Sequence, residues 1–203
     1  MQVSRTVALA VAILSCAVCL DRAADAATLR AVIVIEDDYD DPGLNDIAPS
    51  TRMDYGYVSK LLETLDAGGV MDVEKILVEG REATRSNVAS AISSVDVDPD
   101  DVLFVYFSGH GGMEGGETFL ATSEGGYIDR GELESMVRAR GARLGIVLTD
   151  ACSSSIDGLG TKSTIKKQAD WDLSGAYVEV YRNLFLNYEG LLYVTAATEG
   201  EYA

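Results

Sequence analysis

Short blocks of continuous apolar residues alternate along the chain with longer stretches in which apolar positions recur every three or four residues. Leu29 to Ile35 (LRAVIVI), Val73 to Val78, Val102 to Phe107 (VLFVYF), Leu144 to Leu148 (LGIVL) and Leu191 to Ala196 are blocks of the first kind. Blocks of this length, rich in β-branched residues, read as strands, most of them buried on both faces. Between them, Tyr55, Val58, Leu61, Leu62 and Leu65 keep helical spacing in a helix opened by Ser50 or Thr51 and stopped by Gly68-Gly69. Thr84 caps a second helix with Val88, Ala91, Ile92 and Val95 on one face. Asp129 caps a third, running to Arg140, with Leu133, Met136 and Val137 turned inward. Thr118 to Ile128 reads as a short hairpin around Gly125-Gly126. Residues 153–176 are polar and lysine-bearing and carry no assignable period. Strands alternating with helices predict an α/β fold, with a mostly parallel central sheet flanked by helices on both faces. In such sheets chemistry gathers beyond the carboxyl ends of the strands.

The first 26 residues break the pattern. Arg5 gives a short positive start, Thr6 to Leu20 is almost wholly apolar, and Ala24-Asp25-Ala26 offers a small-residue cleavage site. This predicts a secretory signal peptide over 1–26 and an exported protein, secreted or periplasmic, whose single domain spans 27–203. Ile13-Leu14-Ser15 before Cys16 is a poor match to a lipoprotein signal. No other run is long enough to cross a bilayer, so no membrane association is expected. Forty-seven per cent hydrophobic residues in a chain of 203 suit one domain with a full core.

Charge narrows the partners. The net charge is −17, and removing residues 1–26 leaves it unchanged, because Arg5 and Arg22 cancel Asp21 and Asp25. Such a chain repels nucleic acid and anionic membrane surfaces and suits a basic peptide partner.

Of the three cysteines, Cys16 and Cys19 fall in the predicted signal peptide, so the exported chain keeps Cys152 alone; His110 is the single histidine. A lone thiol is unusual in an exported protein. Taken singly, either residue is as well explained by a buried, inert side chain. Their contexts point elsewhere. His110 follows the strand 102–107 in Ser108-Gly109-His110-Gly111-Gly112, and Cys152 follows the strand 144–148 in Thr149-Asp150-Ala151-Cys152-Ser153-Ser154-Ser155. If those strands are neighbours, the two side chains meet across one crevice. An adjacent imidazole favours the thiolate, which is the nucleophile, and can protonate a leaving amine. The Gly111 N–H can point at a developing oxyanion.

A strand ending in Ser-Gly-His-Gly, followed by a second ending in Asp-x-Cys, resembles the caspase, metacaspase and bacterial orthocaspase group of cysteine peptidases over residues 29–203. The resemblance implies a caspase-like three-layer sandwich and a His–Cys dyad, with His110 as general acid/base, Cys152 as nucleophile and Gly111 as oxyanion donor. It also implies a substrate pocket. Asp150 stands where metacaspases carry an acid that helps bind Arg or Lys, Ser108 matches another pocket position, and Asp54 falls near the other pocket acid. Two carboxylates can hold a guanidinium through charge-assisted bonds. The alternative for Asp54 is a first-turn helix acid favoured by the dipole. The partner implied is a peptide or protein substrate with a basic residue at the cleavage site.

The chain departs from that pattern in two places. Ser153-Ser154-Ser155 replaces the His-Ser-Gly often found after the metacaspase nucleophile, and the family continues past the last strand with a further helix and strand. A sheet lacking the C-terminal small-subunit elements is therefore expected. Lys162, Lys166 and Lys167 lie where caspase relatives are cut during maturation, which suggests self-processing.

No cofactor or metal is expected. Asp37-Asp38-Tyr39-Asp40-Asp41 invites a calcium reading, and some metacaspases need calcium. The run fails the EF-hand pattern, however, with Pro42 at the fifth position from Asp38 and Pro49 in place of the closing Glu. A closed zinc site needs more His or Cys than one of each. An esterase reading of His110-Gly111-Gly112 needs a Gly-x-Ser-x-Gly nucleophile and a second histidine, and neither is present. The remaining rival is a catalytically inactive caspase-fold module that binds peptides or regulates active relatives.

Overall fold

The computed structural model describes residues 27–44, 47–153 and 175–197. The predicted signal peptide and the three lysines at 162, 166 and 167 lie outside the described residues. The elements run β1 (Thr28–Ile35), α1 (Ala48–Ala67), β2 (Asp72–Glu79), α2 (Arg85–Ser94), β3 (Val102–Ser108), β4 (Gly111–Glu114), β5 (Glu117–Ala121), β6 (Tyr127–Asp129), α3 (Arg130–Arg138), β7 (Leu144–Asp150), α4 (Gly175–Asn187) and β8 (Gly190–Thr195).

Five parallel strands form the central sheet in the order β2-β1-β3-β7-β8. The apolar blocks explain which strands are central: β3 is buried at every position, whereas β2 at one edge is mostly exposed. Because side chains alternate across a strand, each central strand feeds two cores. Leu103, Val105, Phe107 and Val147 pack under α2 and α3, with Val88, Ile92, Leu133 and Val137. Val102, Phe104, Tyr106 and Ile146 pack on the other face under α1 and α4, with Val58, Leu62, Leu65 and Phe185. Burying each such side chain contributes roughly 1.5–3 kcal/mol.

Thr84 and Asp129 cap their helices as the sequence predicts, accepting the Asn87 and Glu132 N–H groups at 3.1 and 3.0 Å. The start of α1 differs. Pro49 suits the first turn, so the helix begins at Ala48, and Thr51 Oγ1 donates back to the carbonyl of Ala48 at 3.2 Å instead of capping. The third helix ends at Arg138, before the expected Arg140. The expected hairpin is one half of a three-stranded antiparallel sheet, β4-β5-β6, that starts directly after His110. Gly115 and Gly116 turn it, with φ of 62° and 89°, a conformation that a two-residue hairpin turn needs and glycine supplies. No helix among the described residues is long and apolar enough to cross a membrane.

Candidate active site

The site grows out of one register. β3 and β7 are adjacent and parallel, and Ser108 pairs with Asp150 at their carboxyl ends. The Gly109 N–H donates to the Asp150 carbonyl at 3.3 Å, so the pairing continues one residue past the strand. His110 and Cys152 each stand two residues beyond that pair and therefore leave the sheet side by side. Gly111 closes the seam: a Cβ built there falls 2.7 Å from the Cys152 carbonyl oxygen and 2.9 Å from Ala151 Cβ. Only glycine lets the two loops approach this closely.

Both side chains are nearly sealed from solvent, His110 at 4% and Cys152 at 3% exposure. The histidine loop is fixed from the β1 side. Its backbone N–H donates to Tyr39 Oη at 2.7 Å, Tyr39 Oη donates to the Glu36 carbonyl at 3.0 Å, and the two rings stand tilted with centroids 5.1 Å apart. Burial pushes the Tyr39 phenol well above its usual range, so it stays neutral and able to donate. His110 also forms part of the wall of a cavity of about 150 Å³, with Asp41, Glu114, Phe119 and Tyr127.

Ser108, Asp150 and Asp54 come together on the α1 face. Ser108 Oγ donates to Asp54 Oδ2 at 2.6 Å, short enough for a charge-assisted bond. Tyr106 lies beside both acids: burial first, then the Asp54 and Asp150 carboxylates, push its phenol upward. Asp54 sits within α1, past its first turn, so the helix dipole does not account for it.

Three site neighbours were not evident in the sequence. Tyr39 lies inside the acidic run read as a loop. Glu36, directly after β1, is fully buried, with Oε1 accepting the Asp38 N–H at 2.9 Å and Oε2 unbonded. Burial, reinforced by Asp37, Asp38 and Glu124 and opposed by that hydrogen bond, raises its carboxyl to about 8. Arg130, the first residue of α3, donates from Nη2 to the carbonyls of Ala151 at 3.1 Å and Cys152 at 2.9 Å. Its signal was available: a cation in the first turn of a helix opposes the dipole and asks for a reason.

The acidic run is engaged within the protein. Asp38 and Asp40 pair with Arg81 at 2.9 and 3.6 Å, and Asp41 accepts the Gly43 N–H at 2.8 Å. Among the described residues no group of His, Cys, Asp or Glu is arranged to hold a metal ion.

Comparison with known proteins identifies the family of this fold. Residues 28–202 match the model of the caspase domain. The chain belongs to the caspase-domain family, whose members are cysteine hydrolases acting on proteins. Among solved structures, caspase-1 from Spodoptera frugiperda is 15% identical with a TM-score of 0.56, covering 88% of this chain and 62% of that one. The Drosophila initiator caspase Dronc is 13% identical with a TM-score of 0.46, covering 62% of this chain and 53% of that one. A protein from Geobacter sulfurreducens is 18% identical with a TM-score of 0.46, covering 63% and 52%. The chain thus spans less than two thirds of the length of these structures. No curated protein matches it. The α/β sandwich with its five-stranded parallel sheet is the caspase-like fold expected from the sequence.

Proposed function

We propose that the chain is an exported cysteine endopeptidase that cleaves after Arg or Lys, with His110 and Cys152 as its dyad. The observation that carries the reading is the seam at Gly111, which sets the loop of the single histidine against the backbone of Cys152. In the proposed reaction the Sγ proton passes to the His110 imidazole. The thiolate attacks the scissile carbonyl carbon, and the carbonyl π pair moves onto oxygen, to which the Gly111 N–H donates in this reading. Collapse of that intermediate breaks the C–N bond, His110 returns the proton to the departing amine, and a thioester remains. Water, losing a proton to His110, then attacks the thioester, and Cys152 leaves as a thiol. No cofactor takes part; calcium is tested as an activator.

Support for a basic substrate residue comes from the pairing of Asp54 with Ser108 and from the closeness of Asp54 and Asp150 to Tyr106. A guanidinium or ammonium entering beside these acids would be held by charge-assisted bonds. The alternative, an inactive module that binds peptides or regulates active relatives, draws on the near-complete burial of both dyad side chains. A positional-scanning fluorogenic peptide assay, with and without calcium, separates the readings. Hydrolysis confined to Arg and Lys and abolished by Cys152→Ala is expected. A purified protein that binds those peptides and cleaves none favours the module.

A further inference from the structure

Arg130 is the buried charge that the proposed chemistry leaves unused. The residue is 6% exposed, although Lys and Arg are seldom buried without a partner. Desolvation lowers its affinity for the proton, and no carboxylate among the described residues appears in opposition to that cost; Tyr193 and Cys152 are the groups that favour its charge. Nε makes no hydrogen bond to the described residues. The positive end of α3 adds repulsion from its own helix. What holds the guanidinium in place is the pair of Nη2 bonds to the carbonyls of Ala151 and Cys152.

That pair has a mechanical consequence. β7 ends at Asp150, so the nucleophile stands on chain that no longer has a ladder on both sides. Arg130 grips two successive carbonyls there, one of them the nucleophile's own, from the α3 face, while Gly111 abuts the same Cys152 carbonyl from the histidine loop. Ser153 Oγ donates to the Ala197 carbonyl at 3.1 Å and anchors the next residue. The electrostatic consequence follows from the same placement. Among the described residues the buried cation faces neutral carbonyls and no carboxylate while the thiol is neutral, and it gains an opposite charge when Sγ ionises.

We propose that Arg130 is a positioning residue for the nucleophile, fixing the backbone at Ala151–Cys152 and supplying the positive charge against which the Cys152 thiolate is held. The inference rests on Cys152 being the nucleophile. It predicts separable effects of charge and shape, because Lys keeps the first and lacks the planar fork.

The test is a pH titration of the thiolate ultraviolet absorbance of the full chain, taken as the difference from Cys152→Ser, in the parent protein, Arg130→Met and Arg130→Lys. Peptidase kinetics and thermal melting are run on the same samples. The thiolate should form at higher pH in Arg130→Met and at the parental pH in Arg130→Lys. With Arg130→Met kcat should fall by about tenfold to a hundredfold at a nearly constant KM, as misplacement of a reacting group does; Arg130→Lys should recover part of that loss. Superimposable titrations of parent and Arg130→Met overturn the proposal, as does an Arg130→Lys titration displaced as far as that of Arg130→Met. If Arg130→Met does not fold, the comparison of Arg130→Lys with Arg130→Gln decides in the same way. The titration needs no turnover, so a parent protein that cleaves no peptide defeats the peptidase reading while leaving this one to be judged separately.

Discussion

The carboxyl ends of β3 and β7 carry opposite chemistry on their two faces. On the α1 face Asp54 and Asp150 gather around Ser108 and Tyr106. On the α3 face Arg130 lies buried, with no carboxylate against it among the described residues, and holds the carbonyls of Ala151 and Cys152. Strand periodicity produces the division. Successive residues point to opposite sides, so Asp150 follows Leu148 toward α1 while Ala151 joins the core under α2 and α3. A run of three residues thereby delivers an acid to one face, meets a cation on the other and ends in the thiol between them. In the function proposed above, the acids hold a basic substrate side chain and the cation holds the group that attacks it. Mixing the two signs on one face would let them neutralise each other and serve neither purpose.

Removing the acid face should have the largest effect on selectivity. Asp150→Asn and Asp54→Asn are each expected to lower kcat/KM for arginyl peptides by about tenfold to a hundredfold, the loss of one charge-assisted bond, with little change for substrates lacking the cation. Kinetics on matched arginyl and glutaminyl peptides check this; an equal loss on both would make the acids structural. The seam between the faces comes next. Gly111→Ala puts a methyl 2.7 Å from the carbonyl that Arg130 holds, so that backbone must move. Denaturant unfolding should show a loss of roughly 1–3 kcal/mol, together with reduced turnover. A fully active Gly111→Ala protein of parental stability would mean the loops separate freely.

The smallest effect belongs to Glu36, which lies under the histidine loop and outside both faces. Its carboxyl, raised to about 8 by burial, is more acidic in the unfolded chain. Its contribution to stability is therefore complete below the ordinary carboxyl range and is lost as the pH rises through about 8. Glu36→Gln cannot ionise, so thermal melting of that variant should be flatter across this window than that of the parent. Parallel curves would show that Glu36 does not titrate there.

Much of this arrangement was legible in the sequence, for a physical reason. Strands of a parallel sheet are buried on both faces, and Leu29–Ile35 and Val102–Phe107 announce that with unbroken apolar runs. The same runs fix where the strands end, and hence where His110 and Cys152 emerge. Helix caps are also local, so Thr84 and Asp129 could be read directly. What escaped was set by contacts distant in sequence. The reason for Arg130 lies in carbonyls 21 and 22 positions away, and Tyr39 meets His110 across 71. Strand β4 was hidden because its four residues include two glycines and end at a further glycine pair, a composition that reads as loop until Phe119 and Leu120 pair with it. The beginning of α1 differs from the expected Ser50 or Thr51 because Pro49 outweighs the hydroxyls after it.

The most direct measurement on the central claim is covalent labelling of the full-length protein with an arginyl chloromethyl ketone, followed by peptide mapping. One label per chain on Cys152, competed by an arginyl peptide and lost in His110→Ala, is the predicted result. Labelling that ignores His110, or that proceeds equally well when the arginyl group is replaced by a neutral one, would contradict the account.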